Sequence, residues 1–375
     1  MQESVWRDGI APAGYPRLER NLDVDVAIVG GGITGLTAAL LLKRAGRTVA
    51  VLEGRRIGDG TTGRTSAHLT VALDEQLSTL AARFGDDGAR RAVQSARAAI
   101  DTIESLAAGL AIDCDFRRVP AFRWAELPEH VRDLDEEARR YADAGVTVHR
   151  QDGLPFSSLA VGALRFDDQA MFHPLKYLEG LAVAIAGDGS HVFERTKVTK
   201  WDDGAPCRLR TSTGATVTAQ ELILATHSPI GLLVSMHTRL EAMTSFVLVA
   251  RVDDPPPLGL YFDMSTPYHY IRAASTDRPD LLLIGGADVK HGHQTDTAAC
   301  YTRLAEFART RLSVQAIERR WSSVLFEPAD GLPFMGPLPG ASHTWVSTGY
   351  SGTGLTFGTV GGQLLCDLIQ RNENG

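Results

Sequence analysis

The sequence predicts an α/β protein with two lobes, one built on a parallel sheet and the other an α+β lobe built on an antiparallel sheet. Apolar strand patterns at 24–29 and 48–52 flank a glycine turn and an Ala/Leu-rich helix pattern, and such a βαβ unit requires a parallel sheet. Strand patterns at 246–252, 268–272 and 281–284 are separated by turn-rich stretches, which favours an antiparallel sheet. The 375 residues are enough for two or three lobes of about 150 residues each.

Helical periodicity assigns most of the remaining chain. Apolar residues from Val93 to Leu110 recur at three- and four-residue steps and predict a long helix, a shorter helix follows Pro128, and another follows Pro174. The block 345–368 has the pattern of a strand, a glycine turn and a helix. We assign residues 22–75, 150–235 and 322–375 to the first lobe. Residues 76–149 and 236–321 form the second lobe, and residues 1–21 are an irregular lead-in.

Composition and charge exclude several classes of protein. The 38 basic and 45 acidic residues give a net charge of −7 without a basic run, so we expect no nucleic-acid partner. The sequence has neither a secretory signal pattern nor a membrane-spanning apolar stretch, and we expect a cytoplasmic protein. Cys114, Cys207, Cys300 and Cys366 are widely spaced and the histidines lack metal-site spacing, so we expect free buried cysteines and no metal.

The glycine turn after the first strand carries the strongest chemical signal. Gly30 permits a tight turn, Gly32 lets a pyrophosphate approach the backbone, and Gly35 allows a helix to pack closely on a strand. Glu53 ends the second strand, where a carboxylate can accept hydrogen bonds from ribose hydroxyls. This combination predicts a Rossmann-like dinucleotide site in preference to a purely structural glycine turn.

The turn alone does not distinguish FAD from a nicotinamide cofactor, but two later segments favour FAD. A polar, glycine-rich loop at 58–68 follows Glu53, where a nicotinamide dehydrogenase would continue directly into another βα unit. The glycines at 349–354 follow a strand and open a helix, which gives a second glycine-lined helix N-terminus far away in sequence. Two such termini suit a long cofactor.

The order of these motifs resembles that of the D-amino acid oxidase-like superfamily of FAD-dependent oxidoreductases. The resemblance runs from about Val24 to Leu368, and beyond the first βαβ unit it rests on Thr196–Val198, Leu222–Thr226, Asp330–Gly336 and Gly349–Thr356. It implies a glutathione-reductase-like, Rossmann-type FAD lobe beside the antiparallel substrate lobe, with the active site between them. It also implies that the last helix N-terminus faces the flavin pyrimidine ring.

Within that superfamily, Val5-Trp6, Tyr15-Pro16 and the loop at 60–65 look most like a bacterial subgroup that often carries a C-terminal Rieske iron-sulfur domain. The sequence has no paired Cys and His ligands for such a cluster, so we expect this chain to act without that domain. The loop lacks the histidine, and the region around Ser323 lacks the cysteine, that some relatives use to attach FAD. We therefore expect noncovalent FAD.

The candidate cofactor-binding residues follow from the glycine turn and from the resemblance. They are Gly30, Gly32, Ile33, Thr34, Gly35, Glu53, Gly54, Arg55, Thr61, Thr62, Gly63, Arg64, Thr65, Ser66, Val198, Ala225, Thr226, His227, Gly331, Gly352, Thr353, Gly354, Leu355 and Thr356.

The candidate catalytic residues are fewer and each has a structural alternative. Arg272 resembles the arginine that pairs with the substrate carboxylate in the family's amino-acid oxidases, or it is an ordinary strand arginine. Tyr270 lines the substrate pocket or belongs to the core. Arg64 contacts flavin or substrate, and His68 is a proton acceptor or a hydrogen-bonded bystander.

The resemblance implies oxidation of a small amine or amino acid at its C–N bond, with hydride transfer to flavin N5, an imine product, and reoxidation by O2 or another acceptor. C–O oxidation of a 2-hydroxy acid is an alternative, and it requires a base for the hydroxyl proton. A partner-dependent electron-transfer subunit is another. The substrate's identity and the oligomeric state stay open.

Overall fold

The computed structural model describes residues 3–10, 14–154, 156–228, 236, 238–293 and 296–372. Parts of the predicted lead-in and lobes lie outside the described residues, namely 1–2, 11–13, 155, 229–235, 237, 294–295 and 373–375.

The described chain forms two β-sheets with helices packed around them. In chain order the α-helices are α1 (Ile33–Arg44), α2 (Leu77–Gly109), α3 (Val131–Asp143), α4 (Pro174–Ile185), α5 (Thr297–Arg311) and α6 (Gly354–Asn372). The strands are β1 (Leu22–Val29), β2 (Val49–Leu52), β3 (His68–Leu69), β4 (Arg117–Ala125), β5 (Val148–Gln151), β6 (Gly162–Met171), β7 (His191–Phe193), β8 (Val198–Asp202), β9 (Cys207–Thr211), β10 (Thr216–Leu224), β11 (Leu240–Val252), β12 (Leu260–Asp263), β13 (His269–Ala273), β14 (Leu281–Lys290), β15 (Val314–Pro328), β16 (Phe334–Pro337) and β17 (Thr344–Thr348). Short 3-10 helices occupy Val5–Arg7, Thr61–Arg64 and Pro128–His130.

The first sheet contains the predicted βαβ unit. Its strand order is β16-β17-β10-β1-β2-β7, with β1 parallel to both β2 and β10, and with β8 and β9 extending from β10. The central strands are apolar on both faces because both faces are covered. Val26 and Ile28 of β1 belong to the core that contains α1, whereas Ala27 and Val29 belong to the core beneath the β8–β9 hairpin.

The second sheet has the order β15-β11-β14-β13-β12-β4-β6-β3, with β5 paired to β6. All of its pairings are antiparallel except that of β12 with β4. The α/β fold class with a second, antiparallel lobe is therefore confirmed. The long predicted helix is α2, which is interrupted at Gly85, where φ is 75°.

The strand pairings differ from the predicted lobe boundaries at three places. The boundaries assign 22–75, 150–235 and 322–375 to the first lobe, yet β3, β6 and the end of β15 all pair within the second sheet. Apolar alternation identifies these segments as strands but carries no information about which distant strand they pair with. The first lobe is thus interrupted more often than its predicted boundaries allow.

The structure also bears on the expectations about cysteines, membrane spans and metal sites. All four cysteines are free and buried, as predicted. In the part of the chain that the structure describes, no helix has the length and apolar composition to cross a membrane. The same residues contain no group of His, Cys, Asp and Glu side chains placed to hold a metal ion.

Candidate active site

A cavity of about 860 Å³ lies between the two sheets. One wall is formed by the carboxyl ends of β1, β2 and β10 and by the N-terminal residues of α1 and α6, and the opposite wall is one face of the second sheet. Clefts at the carboxyl ends of parallel strands are the usual ligand sites of such sheets. This cavity therefore holds the candidate site.

The first glycine turn packs as its sequence predicts. Gly30 has φ 115°, and a Cβ placed on it would lie 2.3 Å from the carbonyl oxygen of Ala225. A Cβ on Gly35 would lie 2.1 Å from the carbonyl oxygen of Gly30, so Gly35 packs in the backbone and does not line the cavity. Gly32 faces the cavity, and within 4 Å its Cβ would meet only Thr62 Oγ1, at 3.2 Å.

Glu53 holds the turn from the end of β2. Its two carboxylate oxygens accept hydrogen bonds from the amides of Gly31 and Arg55, each 2.8 Å long. Ile33, Thr34, Gly54 and Arg55 line the cavity beside it. Since Gly32 supplies no capping side chain, the N-terminal amides of α1 can bind an anion such as a pyrophosphate.

The polar loop lines the next stretch of the cavity. Its lining residues are Thr61, Thr62, Arg64, Thr65 and Ser66. Gly63 does not line the cavity, because its Cβ position lies 2.0 Å from the carbonyl oxygen of Gly58.

The lead-in, predicted to be irregular, packs against this loop and hydrogen-bonds to it. The sequence analysis did not predict this contact. The Ser4 hydroxyl donates to the Gly63 carbonyl over 2.5 Å, and the Trp6 indole N–H donates to the Thr65 carbonyl over 2.7 Å. Val5–Arg7 is a turn of 3-10 helix with Trp6 buried. The lead-in is therefore part of the structure that fixes the cofactor loop.

Three distant segments that were predicted to reach the cofactor also line the cavity. They contribute Val198, Ala225, Thr226, His227, Gly352, Thr353, Gly354 and Leu355. The His227 Nε2 lies 2.9 Å from the Val324 carbonyl oxygen, and burial lowers the pKa of this ring, so it is a neutral donor at neutral pH.

Besides Gly35 and Gly63, two further predicted cofactor residues lie outside the cavity. Thr356 is buried and its hydroxyl donates to the Thr353 carbonyl over 2.9 Å, which closes the first turn of α6. Gly331 faces Arg83, Glu75 and Leu80 and borders a separate small cavity. Neither residue lines the cavity, so the structure gives no support to the prediction that they contact the cofactor.

Arg272 is the main correction among the predicted catalytic residues. Its guanidinium donates to the carbonyls of Ala67, Phe172, Ala273 and Ala274, at 2.7, 3.4, 2.7 and 3.2 Å, and it lies over the Trp6 ring. The residue is 1% exposed and does not line the cavity. Arg272 therefore ties backbone segments together and is not placed to bind a substrate carboxylate.

The other three predicted catalytic residues, Tyr270, Arg64 and His68, line the cavity. The His68 Nδ1 lies 2.9 Å from the Ser66 hydroxyl, whereas its Nε2 is buried with no hydrogen-bond partner among the described residues. Burial, and then the positive charge of Arg272, lower the His68 pKa to about 3. His68 is thus a neutral imidazole with one nitrogen available to a ligand.

Sequence reasoning missed a carboxylate cluster on the same cavity, formed by Asp74, Asp288 and Glu327. Burial raises the pKa of Asp74 to about 6 and that of Asp288 to about 7, and it also raises the pKa of Glu327. In each of them the charge of a neighbouring carboxylate adds to the rise. Perturbed acids in a cleft are candidates for binding or proton transfer.

A β-bulge aims Asp288 into the cavity. Along β11, Thr244 pairs with Val289 and Phe246 pairs with Gly286, so β14 carries one extra residue in this interval. Gly286 has φ 119° and Ala287 has φ 53°. Bulges re-aim side chains next to active sites, and here both oxygens of Asp288 end up buried without a hydrogen bond of ordinary geometry to a described residue.

Replacing Asp288 with asparagine is expected to make the protein more stable than the unmodified protein at pH 8. At pH 5 we expect a smaller gain in stability. The raised pKa means that the folded protein keeps a proton that the unfolded chain loses, so the carboxylate's contribution to stability falls as pH rises from about 4 to about 7. The groups that influence Asp288 are Ser245, Glu327, Asp74 and His269. Three pKa units correspond to about 4 kcal/mol at most, so thermal unfolding at pH 8 should show a variant more stable by about 3 °C or more.

Glu241→Gln is the matched control for this measurement, because Glu241 lies opposite Glu327 on β11 with 48% of its side chain exposed. A Tm difference between Asp288→Asn and the unmodified protein that is the same at pH 5 and pH 8 would contradict the raised pKa of Asp288.

Known proteins are similar to this chain over nearly its whole length. YhfW of Bacillus subtilis, named as a Rieske 2Fe-2S iron-sulfur protein, is 27% identical over 99% of this chain and 74% of its own length. Gamma-glutamylputrescine oxidoreductase of Escherichia coli is 27% identical over 96% of this chain and 86% of its own. The crystal structure of glycine oxidase from Geobacillus kaustophilus superposes with a TM-score of 0.78 at 21% identity, covering 94% of this chain and 95% of that one.

The sequence also matches the family described as FAD dependent oxidoreductase, DAO, over residues 25–368. FAD is the cofactor of this family, and the two helix N-termini, the open Gly32 and the Glu53 carboxylate fit it without rearrangement of the glycine turn. The chain belongs to the DAO family of FAD-dependent oxidoreductases.

Proposed function

We propose that this enzyme oxidises a small amine or amino acid at its C–N bond, with noncovalently bound FAD as the electron acceptor. The observation that carries the proposal is that one cavity joins the dinucleotide-binding turn to a wall of carboxylates, phenols and a neutral histidine. A negatively charged wall attracts ammonium groups. Two relatives support the choice, since the names of gamma-glutamylputrescine oxidoreductase and glycine oxidase both specify nitrogen-containing substrates.

The proposed reaction starts from a substrate amine that has lost its extra proton. The Cα–H bond breaks, the hydrogen leaves with both bonding electrons, and the nitrogen lone pair forms a C=N bond. The chemistry that bound FAD supplies is the acceptance of this hydride. The product is therefore an iminium ion, which water converts into a carbonyl compound and a protonated amine or ammonium.

The chain's own residues supply the conditions for this reaction. The ammonium proton can pass to Asp74, whose raised pKa of about 6 suits proton exchange near neutral pH. Tyr268 and Tyr270 exclude water from the same wall, and burial holds their hydroxyls in the protonated form. The side chains thus bind, shield and deprotonate the amine.

C–O oxidation of a 2-hydroxy acid remains a second candidate because of His68. A hydroxyl proton needs a base, and the buried His68 Nε2 has no partner among the described residues. However, the carboxylate cluster disfavours any substrate that brings its own carboxylate toward it, 2-hydroxy acids and α-amino acids alike.

Anaerobic reduction of the flavin tests the proposal. We expect the yellow colour of the holoenzyme to bleach with at least one member of a panel of D- and L-amino acids, secondary amines and primary amines, and to stay with 2-hydroxy acids. Admitting air afterwards distinguishes O2 from another electron acceptor. Bleaching by hydroxy acids alone would replace the proposal with C–O oxidation, and bleaching by none of these compounds would refute both.

A further inference from the structure

The carboxylates of the cluster come from three separate parts of the chain. Asp74 precedes α2, Asp288 follows the bulge in β14, and Glu327 lies near the end of β15. On β15 the residues Ser323, Leu325 and Glu327 alternate onto the cavity face, as expected for a strand with one face on a cleft. The fold therefore gathers three acids on one wall.

The Tyr268 hydroxyl and Asp74 meet beside α6. A Cβ placed on Gly352 would lie 2.5 Å from the Tyr268 hydroxyl and 2.9 Å from Asp74 Oδ2. Asp74 also accepts a hydrogen bond from the Gly352 amide. The charges of Asp74, Asp288 and Glu327 all raise the Tyr268 pKa, so this phenol lies within electrostatic reach of every member of the cluster.

Arg123 and His269, the basic side chains that influence Asp74 and Asp288, already have partners among the described residues. Arg123 forms a 3.0 Å ion pair with Glu137 and donates to the Leu73 carbonyl. Arg272 is surrounded by backbone carbonyls, and His269 lies 2.9 Å from Asp263. The Asp288 oxygens, by contrast, are buried without a hydrogen bond of ordinary geometry to a described residue, and the Ser245 hydroxyl is the hydrogen-bonding group that influences them. Buried carboxylates without a partner are costly, and a bound cation would offset that cost.

A second ammonium group of the substrate is a better partner for the carboxylate cluster than the reacting nitrogen or a substrate carboxylate. The reacting nitrogen must be neutral to expel a hydride, so it cannot be the lasting partner of several carboxylates. A substrate carboxylate would be repelled by them. An amino group at the other end of the substrate can stay charged throughout the reaction.

We propose that Asp288 and Glu327 bind a second, positively charged amino group, so that the preferred substrates are short diamines. This inference rests on the proposed amine oxidation and specifies its substrate class. Asp288 and Glu327 are then specificity-determining residues, and they favour diamines over monoamines of equal length and over α-amino acids.

The test is anaerobic reduction of the holoenzyme flavin, followed as a function of substrate concentration. The probes are 1,3-diaminopropane, 1,4-diaminobutane and 1,5-diaminopentane, with propylamine, butylamine and pentylamine as length-matched monoamines, and glycine and sarcosine as amino acids. We expect half-reduction at a diamine concentration at least tenfold lower than for the matched monoamine. In Asp288→Asn and Glu327→Gln we expect that preference to fall severalfold, with a smaller change in the limiting rate of reduction.

Glu306→Gln is the control, since it removes an exposed carboxylate from α5 outside the cavity and should leave the preference unchanged. FAD content and Tm establish that each variant is folded, and the two cluster variants provide independent tests. Equal use of monoamines and diamines, a preference for glycine or sarcosine, or an unchanged preference in both cluster variants would overturn the diamine inference while leaving amine oxidation intact. Failure of every amine to reduce the flavin would instead refute the proposed function.

Discussion

Replacing Gly32 with valine is expected to weaken FAD binding by about 100-fold or more while the apoprotein stays folded. Gly32 has φ −90° and ψ −175°, which valine adopts readily, and its Cβ would approach only Thr62 Oγ1 in the protein. The branched side chain would, however, occupy the space where the pyrophosphate approaches the backbone. Overpacking of about 1–3 kcal/mol and the loss of charge-assisted hydrogen bonds of about 1.5–3 kcal/mol account for an effect of this size.

The measurement is a titration of apoprotein with FAD, followed by flavin fluorescence. Gly109→Val is the matched control, because Gly109 ends α2 with nothing within 4 Å of its Cβ position. Unaltered FAD affinity in a folded Gly32→Val protein would mean that the pyrophosphate does not lie at this turn.

Replacing Arg272 with alanine is expected to destabilise the fold and to leave substrate affinity nearly unchanged. The substitution removes the donor from four buried carbonyls, and each unsatisfied buried acceptor costs about 1–3 kcal/mol, so even partial compensation leaves a loss of at least about 3 kcal/mol. Burial lowers the pKa of Arg272 to about 9, which still leaves it protonated at neutral pH. Thermal unfolding should therefore show a Tm lower by several degrees.

Arg278→Ala serves as the control, since that side chain is 48% exposed and pairs with Asp280 at the surface. If Arg272→Ala unfolded at the same temperature as the unmodified protein but needed far more substrate for half-reduction of its flavin, the carboxylate-binding role predicted from the sequence would be correct and the structural role wrong.

The features that sequence predicted well depend on contacts between neighbouring residues. Gly30, Gly32 and Gly35 act within one turn, and Glu53 follows at the end of the next strand, so spacing alone defines their geometry. The strand–turn–helix at the end of the chain was recognisable for the same reason. These local units supply most of the cofactor side of the cavity.

The substrate side was harder to predict because it depends on long-range pairing. Strand alternation places Tyr268, Tyr270 and Arg272 on one face, but Arg272 lies beyond the cavity, beneath the backbone of Ala67. Asp288 reaches the cavity through a bulge, for which a glycine pair at 285–286 is a weak signal. Glu327 lies near the end of β15, and only the pairing of that strand with β11 reveals its place in the cavity wall.

The lobe boundaries show the same limit. The segment 162–171 has an ordinary strand pattern, and only its pairing with β4 assigns it to the second sheet. Periodicity identifies an element and its buried face, whereas the choice of partner depends on residues far away in sequence.

The proposed reaction removes hydride from a carbon next to an amine nitrogen. The most direct measurement is the anaerobic rate of flavin reduction by the amine that bleaches the holoenzyme best, compared with the same amine carrying deuterium on that carbon, with the carbonyl product identified by mass. Hydride transfer from that carbon predicts slower reduction of the flavin by the deuterated amine and one carbonyl product per flavin reduced. Flavin reduction without a carbonyl product, or no reduction by any amine, would contradict it.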